Sequence, residues 1–346
     1  IWAHEETGDD WTYKRDVNLR KWCRLHKIKL IEHPNNGVVR GLKNRDDWTK
    51  IRNQRVHSPI IPEPEKLKPV PIKCTIKIPE RNDSLFGSQF GDKIQPGGRG
   101  EALSLLESFK NSRGKDYLFN ISSPAKSEVS CSRLSAHLAW GTISVKELLS
   151  WLPKPSSHNS TCQTALNSRN LTAFKSRIAW RCHFIQKLED KPEIEFKCMH
   201  AMFEGIREPL FNQEFFKAWA TGKTGYPFID ACMLSLIKTG WITFRSRALL
   251  VSFASYNLWL DWRKTGEYLA QLFTDFEPGI HFSQLQMQSG VTGINTLRIY
   301  NPIKQSMDHD INGKFIKKWV HELRNIPEIW IHEPWKMDLK TQENVN

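Results

Sequence analysis

Six prolines fall between His57 and Pro79 (Pro59, Pro62, Pro64, Pro69, Pro71 and Pro79), and no other feature restricts the fold of this chain as much. Each lacks a backbone N–H and pushes its predecessor out of the α region, so neither a helix nor a central strand runs through them. The chain is thereby divided, and 57–100, through the glycine-rich QPGGRGEA, reads as a linker between 1–56 and 101–346. In the first part a short apolar strand, IWAH, meets a Thr-Gly turn, an amphipathic stretch from Trp11 to His26 and a second apolar run, IKLIEH. That order predicts a strand, a helix and a strand of a parallel α/β sheet. The strand is already in progress at Ile1, so a preceding segment is expected. Beyond Glu101 the apolar residues recur at helical spacing, as in Ile229, Met233, Leu236 and Ile237, with a natural stop at Gly240. This part is expected to be all-helical, with SSPAKSEVS and PKPSSHNSTC as loops.

A chain of 346 residues with 39% hydrophobic residues can fill two domain cores, and most of its 14 tryptophans are expected inside them. Lys and Arg number 50 against 37 Asp and Glu, a net charge of +13 that suits a polyanion such as nucleic acid and also suits plain solubility. The seven cysteines are scattered, odd in number and without a C-x-x-C pair. That pattern suggests neither a disulfide framework nor a zinc site, no metal is expected, and a reducing compartment is. The longest apolar run, ALLVSFASYNLWL, is too short for a bilayer and is bounded by Arg247 and Asp261, so it predicts a buried helix.

Gly222-Lys223-Thr224 has the form of the end of a triphosphate-binding loop, G-x-x-x-x-G-K-[ST]. The required first glycine is Lys217 here, and NQEFFKAWAT before it has the helical spacing of Phe215, Phe216 and Trp219 rather than a strand. A triphosphate loop is therefore rejected. The longer string AWATGKTGYPFIDACMLSLIKTGWITFRSRALLVSFASYNLWLDWRKTGEYLAQLF instead resembles the flavin-binding helical domain of the DNA photolyase and cryptochrome family. CSRLSAHLAWGTIS, RIYNPIKQSMD and FIKKWVHELRNIPEIWIHEPW are similar to the same family, and HEETGDDWTYKRD looks like the second half of its N-terminal α/β domain.

The resemblance implies an α/β plus all-α architecture, the remnant of a parallel α/β domain followed by a large helical FAD-binding domain. It implies FAD held by Tyr117, by Cys131, Ser132, Arg133, Leu134 and Ser135, and by Arg247 with Phe273, Thr274 and Asp275. Serine hydroxyls, Arg133 and amides ahead of a helix suit a pyrophosphate, although S-x-x-S by itself is usually a helix cap. Arg247 and Asp275 match the family's ion pair beside the isoalloxazine ring, where a guanidinium favours an anionic flavin and equally serves as a structural bridge. The DNA face is expected at Arg177, Trp180, Arg181, Phe184, Phe244, Arg245 and Gln305, with the Trp180 indole stacking on an extruded base. A surface Arg or Gln there also has a plain solvated reading.

Several positions depart from the family pattern. Arg177 stands where pyrimidine-dimer photolyases have a glutamate, Phe244 where they have an asparagine, and Phe273 where the first acid of a D-x-D pair is usual. Gly279 aligns with the residue opposite flavin N5, and Ser283 and Leu285 align with two tryptophans of the electron chain, of which Trp262 is retained. Trp241 and Trp259 are expected to be core. What the resemblance implies is blue-light-driven repair of pyrimidine photoproducts in damaged or single-stranded DNA, by electron transfer from reduced FAD. The alternative is a cryptochrome-like photoreceptor without repair. A monomer is expected, with the protein partner open and no firmly bound antenna chromophore.

Overall fold

A computed structural model describes residues 1–68, 71, 77, 93–153, 165–294 and 296–341. Strands β1 (Trp2–His4) and β2 (Ile31–His33) pair in parallel, Trp2 opposite Ile31 and His4 opposite His33. Helix α1 (Asp10–Leu25) crosses between them and starts where the Asp9 side chain accepts from the Thr12 amide at 2.9 Å. The expected strand-helix-strand unit is therefore present. Arg40 fastens it, donating to Glu32 at 2.8 Å and to Asp16 at 3.2 Å.

The helices then run in order: α2 (Trp48–His57), α3 (Arg99–Asn111), α4 (Tyr117–Asn120), α5 (Pro124–Ser130), α6 (Ser135–Ala139), α7 (Val145–Trp151) and α8 (Ser168–Asp190). After them come α9 (Gln213–Ala220), α10 (Pro227–Thr239), α11 (Phe244–Ser252), α12 (Trp262–Leu272), α13 (Pro278–Ser289), α14 (Pro302–His309) and α15 (Lys314–Trp319). Two hydrophobic clusters organise them. One gathers Phe109, Tyr117, Leu134, Leu148, Phe174 and Ile178, and the other Trp219, Met233, Phe253, Trp262 and Leu285. Helix α2 packs on α7 and brings Val56 into the first cluster, which joins the α/β unit to the helices. Gln186 on α8 adds a strand-like bridge, accepting from Val39 N at 2.7 Å and donating to Val39 O at 3.0 Å.

Helices α8 and α13 press together most closely at Gly279, where an added Cβ would lie 2.4 Å from Ile185 Cα. Helix α10 ends as its sequence predicts, with Gly240 in the left-handed region at φ 66°. Ahead of it the Thr224 amide and hydroxyl donate to the Asp230 carboxylate at 2.8 and 2.7 Å, and the Gly225 amide at 3.0 Å. The G-K-T stretch is thus folded onto a buried acid of its own chain and opens no phosphate loop.

Three expectations are corrected. SSPAKSEVS is not a loop, because Pro124 at the first helical position starts α5. ALLVSFASYNLWL is buried over Ala248–Ser255 but changes from α11 into a π turn at Phe253–Asn257. Most tryptophans are not core either. Trp48, Trp219, Trp262 and Trp319 are buried, whereas Trp2, Trp11, Trp22, Trp140, Trp151, Trp180, Trp259 and Trp335 are exposed. Of the proline-rich linker, 58–68 has no regular structure, and the remainder up to 92 lies almost wholly outside the described residues, as does PKPSSHNSTC beyond Pro153. No helix among the described residues is long and apolar enough to cross a membrane, and no His, Cys, Asp or Glu cluster there has the form of a metal site.

Candidate functional site

Arg247, on α11, reaches the turn between α12 and α13, where its Nη2 donates to both carboxylate oxygens of Asp275, at 2.9 and 2.8 Å. Its Nε donates to Ile242 O at 3.2 Å, and the guanidinium lies 4.0 Å from the centre of the Phe273 ring. Phe273 therefore presents a ring face where a second carboxylate would have stood, and the pair is neutral as a unit. His281 extends this wall, stacking edge-on against Phe273, Phe276 and Phe282 while its Nε2 meets Gly266 O at 3.0 Å. Burial pulls its pKa down to about 4, so the imidazole is neutral. Thr274 spends its polar atoms inside the fold. Its amide and hydroxyl donate to Gly240 O, at 3.0 and 3.1 Å, and its carbonyl accepts from Trp140 Nε1 at 2.8 Å.

The CSRLS stretch is shaped by a residue that the sequence did not single out. Arg113 donates to the carbonyls of Leu105 at 2.8 Å, Val129 at 3.0 Å and Ser132 at 3.2 Å, and to Cys131 O. With the carbonyls held by Arg113, the amides are the groups left to serve a ligand. Helix α6 begins at Ser135 with no side-chain cap, and the Leu134 amide meets only Ser132 Oγ at 3.4 Å. Uncapped amides beside the Ser132 and Ser135 hydroxyls are a donor set that fits a pyrophosphate. Leu134 itself is core, and burial raises the Cys131 thiol to about 11, which keeps it protonated. Tyr117 is buried edge-on to Phe109 and Phe174; burial pushes its phenol up, against a smaller opposing pull from Arg177.

Arg133 departs from the expected arrangement. Its backbone is left-handed, at φ 63°, and its guanidinium stacks 3.8 Å from the centre of the Trp241 ring with Gln95 Oε1 at 3.2 Å. Trp241 is accordingly a half-buried wall residue, and Trp259 is 39% exposed, so neither is core.

On α8, Arg177, Trp180, Arg181 and Phe184 recur at helical spacing. Arg177 lies 4.8 Å over the Trp180 ring, whose edge meets Phe184, and Trp180 is 49% exposed. Arg181 is a correction. It donates to Glu277 at 2.5 Å and to Leu138 O at 3.0 Å, so its charge ties α8 to α13 and is not free for a phosphate. Gln305 is half-buried on α14, and its Oε1 has no hydrogen-bond partner. Phe244 is 54% exposed at the start of α11, and Arg245 stands 5.8 Å from the Tyr300 ring. Trp262 is fully buried and donates to Cys198 Sγ at 3.4 Å. Ser283 and Leu285 are buried and Gly279 faces the α8 backbone, so this stretch of α13 offers no indole. Sequence reasoning missed Arg113, Trp140, Glu277 and His281; each acts through a partner brought near by the fold, and only Trp140 lies in a quoted stretch, CSRLSAHLAWGTIS.

The Arg247–Asp275 pair, the uncapped α6 amides and the exposed Trp180 indole all stand on the helical part of the chain. Residues 174–346 match the FAD binding domain of DNA photolyase. The chain is 30% identical to the deoxyribodipyrimidine photo-lyase of Streptomyces griseus over 271 residues, covering 76% of this chain and 56% of that protein. It is 28% identical to that of Alkalihalophilus pseudofirmus, covering 71% and 49%. Its fold matches a class III photolyase from Agrobacterium tumefaciens with a TM-score of 0.83 at 24% identity, covering 100% of this chain and 73% of the other. A Synechocystis cryptochrome matches at 0.81 and 23%, covering 99% and 73%. The chain belongs to the DNA photolyase and cryptochrome family, and its cofactor is FAD. It spans about half the length of the curated relatives it matches.

Proposed function

We propose that this protein is a photolyase that uses FAD and blue light to repair pyrimidine photoproducts in damaged or single-stranded DNA, as a monomer and in a reducing compartment. The observation that carries this reading is the exposed Trp180 indole under the Arg177 guanidinium, on the helix that α13 fastens to the Arg247–Asp275 pair. Bound FAD supplies light absorption and one-electron chemistry. Ser132, Ser135 and the uncapped α6 amides bind its pyrophosphate, and Tyr117 lines the same side. Arg247, with its charge balanced by Asp275, favours added negative charge at the ring system. Phe273, Phe276 and His281 keep water from it. Trp180 and Phe244 give two aromatic surfaces for an extruded base, and Arg177 donates where the family's glutamate would accept.

The test is to illuminate flavin-loaded protein with ultraviolet-damaged single- and double-stranded DNA and count photoproducts. Light-dependent loss supports repair; no light-dependent loss of any photoproduct sinks it. Arg177, Phe244 and the absence of indoles at Ser283 and Leu285 favour a second reading, a photoreceptor without repair. A light-minus-dark change in partner binding, with no repair, would select it.

A further inference from the structure

A cleft between α5, α10 and α15 lies behind the Arg133–Trp241 stack. It measures about 230 Å³ and is lined by Lys93, Glu128, Arg133, Trp241, Lys318 and Trp319, among others. Neither Arg247, Asp275, Tyr117, Ser132 nor Ser135 reaches it.

Its charges do not balance. Among the described residues that line it, three cations face one carboxylate, Glu128, which Lys318 already holds at 2.7 Å. Arg133 is half-buried and has the Gln95 amide oxygen as its side-chain acceptor, with no carboxylate in salt-bridge range. Burial makes that guanidinium harder to keep charged, and the carboxylates of Glu128 and Asp275, acting from beyond salt-bridge range, offset that cost only in part, where a buried cation ordinarily recovers it through an anion in direct contact. Beside it the Trp319 Nε1 is buried and has no acceptor. The indole faces are also occupied. Arg133 covers Trp241 at 3.8 Å, and Lys93 and Lys318 flank Trp319 at 5.7 and 5.2 Å.

Each indole already carries a cation over its ring, so the part of a ligand recognised here is its charge. Two cations, Lys93 and Arg133, without a carboxylate in direct contact among the described residues match a dianion better than the single charge of a backbone phosphodiester. A guanidinium fork and two mobile ammoniums suit the three terminal oxygens of a phosphate.

We propose that this cleft binds a phosphate monoester dianion, carried by a free nucleotide or by the 5′-phosphorylated end of a nucleic acid strand. No residue of the Trp180 face or the Arg247–Asp275 pair lines the cleft, and the two lysines that carry its test lie outside the flavin residues, so its failure and that of the repair reading are distinguishable.

The experiment titrates the flavin-loaded protein with AMP and with adenosine, and with one single-stranded oligonucleotide bearing either a 5′-phosphate or a 5′-hydroxyl. AMP is expected to bind at least tenfold more tightly than adenosine. The Lys93→Gln/Lys318→Gln double variant is expected to lose at least tenfold in AMP affinity while keeping its flavin absorbance. A gain from the 5′-phosphate on the oligonucleotide identifies a strand end as the source; a gain confined to AMP identifies a free nucleotide. If the double variant loses flavin, Lys93→Gln alone, at an exposed position, replaces it and is expected to weaken AMP at least threefold. Equal binding of AMP and adenosine, no binding of either phosphate-bearing probe at millimolar concentration, or lysine variants that bind AMP as wild type does would overturn the proposal.

Discussion

Gly279→Ala is expected to be the most damaging one-carbon change in the protein. A Cβ there would stand 2.4 Å from Ile185 Cα and 3.0 Å from both Ile185 N and Phe184 O. Ordinary contact begins near 3.4 Å, so the clash calls for a movement of roughly 1 Å, and every atom in the way is backbone of the 23-residue α8. No rotamer change relieves it. Overpacking costs about 1–3 kcal/mol where side chains can adjust, and here the upper end, about 3 kcal/mol, applies. At roughly 2–4 °C per kcal/mol for a domain of this size, the thermal midpoint should fall by about 6–12 °C. Two controls isolate the cause. At Gly266 the added Cβ meets Leu285 Cδ2 at 2.2 Å, the tip of a flexible side chain, and at Gly97 it meets nothing within 4 Å. Gly266→Ala should cost clearly less than Gly279→Ala, and Gly97→Ala less than about 0.5 kcal/mol. Thermal and urea unfolding followed by circular dichroism measure all three. A Gly279→Ala protein no less stable than Gly266→Ala would refute the claim that α8 and α13 meet backbone to backbone.

Asp275→Asn leaves Arg247 without its carboxylate in a site where Asp275 is 4% exposed, and should cost about 3 kcal/mol and most of the bound flavin, read from the absorbance ratio after gel filtration. His281 is held neutral, with its folded pKa below its unfolded one, so its contribution is complete above about pH 6.5 and is lost as pH falls toward about 4. Because the ring keeps some exposure, we expect about 2 kcal/mol over that window; denaturant titrations of wild type and His281→Gln between pH 7.5 and 4.5 should differ in slope, and parallel curves would count against it. Arg113→Met should free the Cys131 and Ser132 carbonyls and lower flavin retention at least tenfold, with far-ultraviolet circular dichroism unchanged. Trp180→Ala should weaken binding to damaged DNA by about 1–3 kcal/mol while leaving flavin content intact, measured by fluorescence anisotropy.

The sequence by itself determined what local rules can carry. The prolines from Pro59 to Pro64 stopped regular structure over 58–68, Gly240 ended α10, the spacing of Phe215, Phe216 and Trp219 made α9 a helix, and the long TGYPFIDACMLSLIKTGW run gave the family and with it FAD. Arg247 and Asp275 were legible as a pair for the same reason. Tertiary structure decided what each charge is spent on. Arg181 and Arg177 lie on one helix four residues apart, yet Arg181 is consumed by Glu277, 96 positions away, and Arg177 is left over Trp180. Arg133 sits inside the expected pyrophosphate stretch, but a left-handed backbone sends its guanidinium to Trp241. Arg113, outside every motif, is the residue that turns the CSRLS carbonyls away. A charged side chain is placed by whichever long-range partner offsets its desolvation, and that partner is fixed only when the helices pack, so local pattern names the residue and the fold assigns its work.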